Sequence, residues 1–132
     1  MTMEVTGFWT GEYAYDNVRG LAVEFQADLS QAGAMFSGYT TEQNTFGAEA
    51  GQFLLATLFG SVIRQRINFT KTYSNGPSHH PKILYDGSIS EDGNLISGTW
   101  KIHSMQTGSF KMIRAIEQKP KAKAVDAEEM VR

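Results

Sequence analysis

Leu21-Ala22-Val23-Glu24-Phe25-Gln26-Ala27-Asp28-Leu29 alternates apolar and polar side chains without a break from Val23 onward. Successive side chains of an extended strand point to opposite faces. Val23, Phe25, Ala27 and Leu29 therefore share a buried face, and Glu24, Gln26 and Asp28 a wet one. A helix, with its 3.6-residue period, would scatter the same residues around its circumference. Working outward, seven more runs of this kind lie at 8–15, 35–43, 54–63, 66–73, 82–90, 95–103 and 109–116. Turn signals close most of them. Asp16-Asn17-Val18-Arg19-Gly20, Ser30-Gln31-Ala32-Gly33 and Glu91-Asp92-Gly93-Asn94 supply the Gly and Asx residues that tolerate positive φ in hairpins. Arg64-Gln65, between the fourth and fifth runs, has to turn without Gly or Asn. No stretch of about 10–12 residues shows sustained helical periodicity. The pattern predicts an all-β protein, an eight-stranded antiparallel up-and-down β-barrel over 7–116. Lys119-Pro120-Lys121-Ala122-Lys123 and the acidic residues beyond hold too little apolar surface to fold, so 117–132 is expected to be a flexible tail.

Composition narrows the function. The chain has 132 residues and 41% hydrophobic content, enough for one core. Its net charge of −2 lacks the basic excess that phosphate-backbone binding requires, so no nucleic-acid partner is expected. There is no cysteine, which excludes disulfides and thiolate metal sites. The opening residues show neither a basic n-region nor an apolar h-region, and no apolar stretch approaches the roughly 20 residues of a membrane helix. A cytoplasmic protein with no membrane partner is expected. His79 and His80, adjacent in a Pro-flanked loop, would need a third ligand such as His103 to hold a metal, and nothing at metal-site spacing is present. No metal and no cofactor are expected.

Strand parity sorts the inward residues. Trp9, Gly11, Tyr13 and Tyr15 face in, as do Phe36, Gly38, Thr40 and Glu42; Ile67, Phe69, Lys71 and Tyr73; Ile83, Tyr85, Gly87 and Ile89; Ile96, Gly98, Trp100 and Ile102; and Phe110, Met112 and Arg114. The fourth run is apolar on both faces and its parity is unreadable. Up-and-down connectivity places Trp9, Leu29, Phe36, Ile63, Ile67, Ile89, Ile96 and Arg114 at the rim with short connections, the closed end. Tyr13, Tyr15, Glu42, Lys71, Tyr73, Tyr85 and Ile102 fall at the rim with the two long connections, 44–53 and 74–81, which should cover an open mouth. An eight-stranded barrel can be filled by side chains or hold one small ligand. Gly11, Gly38, Gly87 and Gly98 either thin the wall around a cavity or serve as bend positions; both readings are open.

Trp9 in the first strand and Arg114 in the last resemble the Trp/Arg closure of the calycin superfamily, which includes lipocalins, fatty-acid-binding proteins and avidins. A guanidinium stacked on an indole seals a barrel floor by cation–π contact. The run Gly33-Ala34-Met35-Phe36-Ser37-Gly38-Tyr39-Thr40-Thr41 and the position of Trp100 look most like the avidin branch. The resemblance implies a barrel with a ligand site at its open end. It does not imply biotin, because avidin-like biotin sites use several tryptophans and this chain has two.

Lys71, between Phe69 and Tyr73 on the inner face, is the sharpest chemical feature. A buried lysine must be paired or lose its charge, and Glu42 is the natural partner. Lys71 could anchor an anionic ligand group, transfer a proton or form an imine; it could also snorkel to the rim and meet Glu42 in water. Tyr13, Tyr15, Tyr73 and Tyr85 offer rings to stack a flat ligand and hydroxyls to bind its edge. Trp100 fits equally as core filler or pocket wall. The leading expectation is a small-molecule-binding barrel with ligand residues Tyr13, Tyr15, Glu42, Lys71, Tyr73, Tyr85 and Trp100, taking a partly apolar ligand with an anionic group. The alternative is an isomerase or cyclase using Lys71 or Glu42 at the same mouth. Outward Tyr39, Leu84 and Ile113, with the two-sided fourth run, raise the expectation of a homodimer.

Overall fold

The structure, a computed structural model, describes residues 3–43, 53–75, 82–102 and 106–115. Eight strands follow one another: β1 (Gly7–Tyr15), β2 (Ala22–Ala32), β3 (Met35–Gln43), β4 (Phe53–Ile63), β5 (Arg66–Tyr73), β6 (Ile83–Ile89), β7 (Leu95–Ile102) and β8 (Gln106–Arg114). Each pairs antiparallel with the next, and β8 returns to β1 to close the barrel. Segments 44–52, 76–81 and 116–132, with the expected mouth coverings, His79, His80 and the tail, lie outside the described residues, as does His103.

Two strands run longer than the sequence pattern predicts. β2 continues through Ser30, Gln31 and Ala32, and the turn is Gly33-Ala34, with Ala32 facing Met35 across it. Gly33 sits at φ 64°, where a side chain would be strained. β8 begins at Gln106, three residues early. The tight joint between β4 and β5 is real: Ile63 pairs with Arg66, and Arg64 takes φ 56°. Left-handed backbone costs a non-glycine residue about 1–2 kcal/mol. Strand register on both sides holds it there.

Parity holds throughout the barrel, and the structure supplies it for β4. Leu54, Ala56, Leu58 and Val62 point inward; Phe53, Leu55, Phe59 and Ile63 are exposed. Ile63, expected at the closed rim, is thus on the outer wall, and Val62 takes its place. The expected outer patch also divides: Tyr39, Leu84 and Ile113 are exposed but stand on β3, β6 and β8, well separated around the barrel.

The mid-height lumen is filled. Phe69 stacks on Tyr85 at 4.6 Å between ring centroids, and Phe110 meets both edge-on. Phe36 closes on Phe69 from β3 at 5.8 Å. A Cβ on Gly11 would lie 2.4 Å from the Phe25 ring, and one on Gly98 2.1 Å from the Asp86 carbonyl oxygen. These glycines let rings and neighbouring backbone approach closely, which is a packing role; they do not leave a mid-height cavity.

The closed end is sealed as expected, with an addition. The Arg114 guanidinium lies 4.5 Å from the Trp9 ring. It also donates to the backbone oxygens of Thr6 (2.8 Å), Glu4 (2.6 Å) and Gly93 (3.1 Å). These bonds tie residues 3–6 beneath the barrel, where Val5 is fully buried and its carbonyl accepts from Trp9 Nε1 at 2.9 Å. Gly7, at φ 135°, makes the bend that starts this plug. Nothing in strand alternation signals Val5, because it precedes the first strand.

A carboxylate and four tyrosines at the open end

Glu42 is the penultimate residue of β3, where alternation turns its side chain inward between Phe25 of β2 and Leu54 of β4. A carboxylate in that position must collect donors, because an unpaired buried charge costs several kcal/mol. It collects three. Lys71 Nζ donates to Oε1 at 2.7 Å, Tyr73 Oη to Oε1 at 3.0 Å, and Tyr13 Oη to Oε2 at 2.5 Å. Lys71 comes from β5, Tyr73 from two residues further along the same face, and Tyr13 from β1. Residues 29 or more apart in sequence thus meet on one group.

Lys71 does not snorkel. Its side chain is 1% exposed and that of Glu42 3%. The remaining faces of the ammonium are covered by rings: Tyr73 at 4.7 Å, Tyr13 at 4.9 Å and Phe25 at 5.5 Å to centroid. Aromatic faces attract a cation, so they replace part of the hydration that burial removes. Desolvation nevertheless outweighs the attraction of Glu42 and pushes the Lys71 pKa down. The phenols shift the other way. Burial, reinforced by the negative charge of Glu42, raises Tyr13, Tyr73 and Tyr15, and burial raises Tyr85 strongly. All four stay protonated at neutral pH.

Above this cluster lies a cavity of about 220 Å³, lined by Tyr13, Tyr15, Glu42, Tyr73, Tyr85 and Trp100, with Leu54, Ile83, Ile102 and Gln106 completing the wall. Trp100 is one of its wall residues. Its ring meets Tyr15 at 4.9 Å and 84°, and its Nε1 donates to the backbone oxygens of Ala14 and Ser109, both at 3.2 Å. Gly108 makes room for it: a Cβ there would lie 2.4 Å from the indole. Gly108, Gln106 and Leu54 carry no sequence signal of these positions, the first two because β8 starts early and the third because β4 is apolar on both faces. A broader hollow of about 920 Å³ lies against the outer wall, along Thr10, Glu12, Gln26, Thr41 and Lys111. Glu42 borders it as well, but Lys71 and the tyrosines do not, and most of its lining residues are outward-facing positions on β1, β2, β3, β4 and β8.

Six of the seven expected ligand residues therefore surround one space; Lys71 does not. Its ammonium is held by Glu42, faces the rings of Tyr13, Phe25 and Tyr73, and is not among the residues that line the cavity, so the anchoring, imine and proton-transfer roles expected of it draw no support from that lining. Among the described residues no group of three or more His, Cys, Asp or Glu side chains could hold a metal ion. The buried Thr40 hydroxyl, on the same face of β3, has no hydrogen-bond partner among the described residues.

No protein-family model matches the chain, and no curated protein sequence matches it. Solved structures do. The chain is similar to a redesigned β-barrel, with TM-score 0.67 and 10% identity over 84% of this chain and 91% of that one. It is also similar to a de novo designed fluorescence-activating β-barrel, with TM-score 0.58 and 11% identity over 83% and 93%. At such identities the likeness concerns the barrel fold alone.

Proposed function

We propose that this barrel binds a small, partly apolar molecule in the cavity at its open end. The observation that carries the reading is the division of the lumen: aromatic rings fill the middle, and Glu42, the one inward carboxylate among the described residues, borders the remaining space with Tyr13, Tyr73 and Trp100. About 220 Å³ equals roughly seven water volumes, which suits a single substituted ring. The fluorescence-activating designed barrel lends support by analogy of architecture. The Trp9–Arg114 stack supports the calycin-like reading of the barrel floor. An anionic ligand group loses its basis once Lys71 lies behind Glu42, and so does a catalytic lysine for an isomerase or cyclase. Homodimerisation through the outer wall of β3 and β4, where Tyr39, Phe59 and Ile63 are exposed, belongs to the same proposal, and light scattering tests it.

The binding reading is tested by titrating a panel of single-ring fragments, to millimolar concentration, against the isotopically labelled protein by NMR. Shift changes should centre on Tyr15, Tyr73, Trp100 and Ile102. A panel that leaves these resonances unmoved refutes it.

A further inference from the structure

Resting on that reading, we infer that the cavity selects a small organic ammonium ion. Three observations converge on this class. First, among the described residues that line the cavity, Glu42 is the only charged one. Second, a carboxylate offers about four lone-pair sites, and Glu42 accepts two hydrogen bonds on Oε1 and one on Oε2. One site on Oε2 remains for a donor. Third, the surrounding wall is aromatic on several sides. Tyr13, Tyr15, Tyr73, Tyr85 and Trp100 all line the cavity, with Tyr15 and Trp100 packed edge-to-face at 4.9 Å. An aromatic wall with a carboxylate in it is the chemistry that recognises organic ammonium groups.

The obvious objection is that Lys71 already neutralises Glu42. Geometry answers it. The lysine is not part of the cavity wall, whereas the carboxylate is, so the pair presents its negative end to a ligand. A guest cation held on the cavity side of the carboxylate would sit nearer to Glu42 than to the Lys71 nitrogen behind it. Since Coulomb energy falls with distance, attraction exceeds repulsion. The same arrangement repels anions, and the raised pKa values of the phenols keep the wall from gaining further charge near neutrality. The lysine itself shows the preference in miniature, since its ammonium occupies the faces of Tyr13 and Tyr73.

Three probes of one shape separate the outcomes: benzylamine, protonated at neutral pH, benzyl alcohol and benzoate. They are titrated by NMR against the full-length protein, with the resonances of Tyr15 and Trp100 locating the bound ring. Benzylamine should bind at least tenfold more tightly than benzyl alcohol, benzoate should not bind, and benzylamine affinity should fall at pH values where the amine loses its proton. Tyr15→Leu, at a half-buried position outside the ion-pair cluster, should weaken benzylamine several-fold. Equal or tighter binding of benzyl alcohol or benzoate in the cavity overturns the ammonium assignment while leaving the binding reading intact. Failure of all three probes and of the wider fragment panel overturns both.

Discussion

Replacing Lys71 by Met tests the buried cluster most directly. The methionine keeps most of the aliphatic volume and removes the ammonium, leaving Glu42, 3% exposed, with two phenolic donors and no countercharge. Removing one partner of a buried ion pair typically costs about 3–5 kcal/mol. Unfolding entropy of about 2.1 cal/mol/K per residue, over roughly a hundred ordered residues, gives about 0.2 kcal/mol/K, so Tm should fall by about 15–25 °C. Glu42→Gln alone should lose a comparable amount, because it strands the ammonium among Tyr13, Phe25 and Tyr73. The double variant, with neither charge, should recover much of the loss and show a coupling energy of about 2–4 kcal/mol between the sites. Urea denaturation followed by tryptophan fluorescence, with Tm by calorimetry, measures all four proteins. Additive single losses, or a K71M cost below about 1 kcal/mol, would refute the claim that these charges are buried against each other.

Alkaline pH should unfold the protein through its phenols. Tyr13, Tyr73 and Tyr85 are held protonated in the fold above the ordinary value of 10.0, so above about pH 10 the unfolded chain releases protons that the folded chain retains. Stability then declines by up to about 1.4 kcal/mol per pH unit for each group. Tyr85→Phe should make the fall of urea midpoint with pH between 10 and 11 less steep, and an unchanged slope would contradict the burial of that hydroxyl. Arg114→Lys keeps the charge but cannot span the Glu4, Thr6 and Gly93 carbonyls with one planar fork; a loss of about 2–3 kcal/mol, with faster hydrogen exchange near Val5, is expected. Thr40→Val replaces a buried hydroxyl that lacks a partner among the described residues by an isosteric methyl, and the urea midpoint should rise, by about 1 kcal/mol in stability.

The barrel and most of the site were legible in the chain because one face of nearly every strand is apolar and the other polar. Val23 to Leu29 determine their own orientation, and turn residues then carry the alternation from strand to strand. Glu42, Tyr13 and Tyr73 could be brought together this way because topology and parity suffice to place them at one rim. β4 resists for a physical reason: Phe53, Leu55, Phe59 and Ile63 are apolar yet exposed, so hydrophobicity says nothing about direction there and Ile63 reads as well inward as outward. The fate of Lys71 was also hidden. Whether a lysine reaches water or stays enclosed depends on ring positions from β1, β2 and its own strand, a three-dimensional fact that no one-strand pattern encodes. The glycines were ambiguous for a related reason, since only the position of Phe25 reveals that the space above Gly11 is taken.

Seven of the eight strand pairings join neighbours in sequence, while the eighth brings Trp9 to Arg114. Sheet growth can therefore proceed by short hairpin steps, each with a small entropic penalty, until a curled ribbon with two raw edges remains. Zipping those edges is the non-local event, and it is also the moment at which the Arg114 clasp, the Val5 plug and the full lumen come into being together. Cooperativity of the whole molecule is thus concentrated in a single seam, and hydrogen exchange along β1 and β8 should report global opening instead of local fraying.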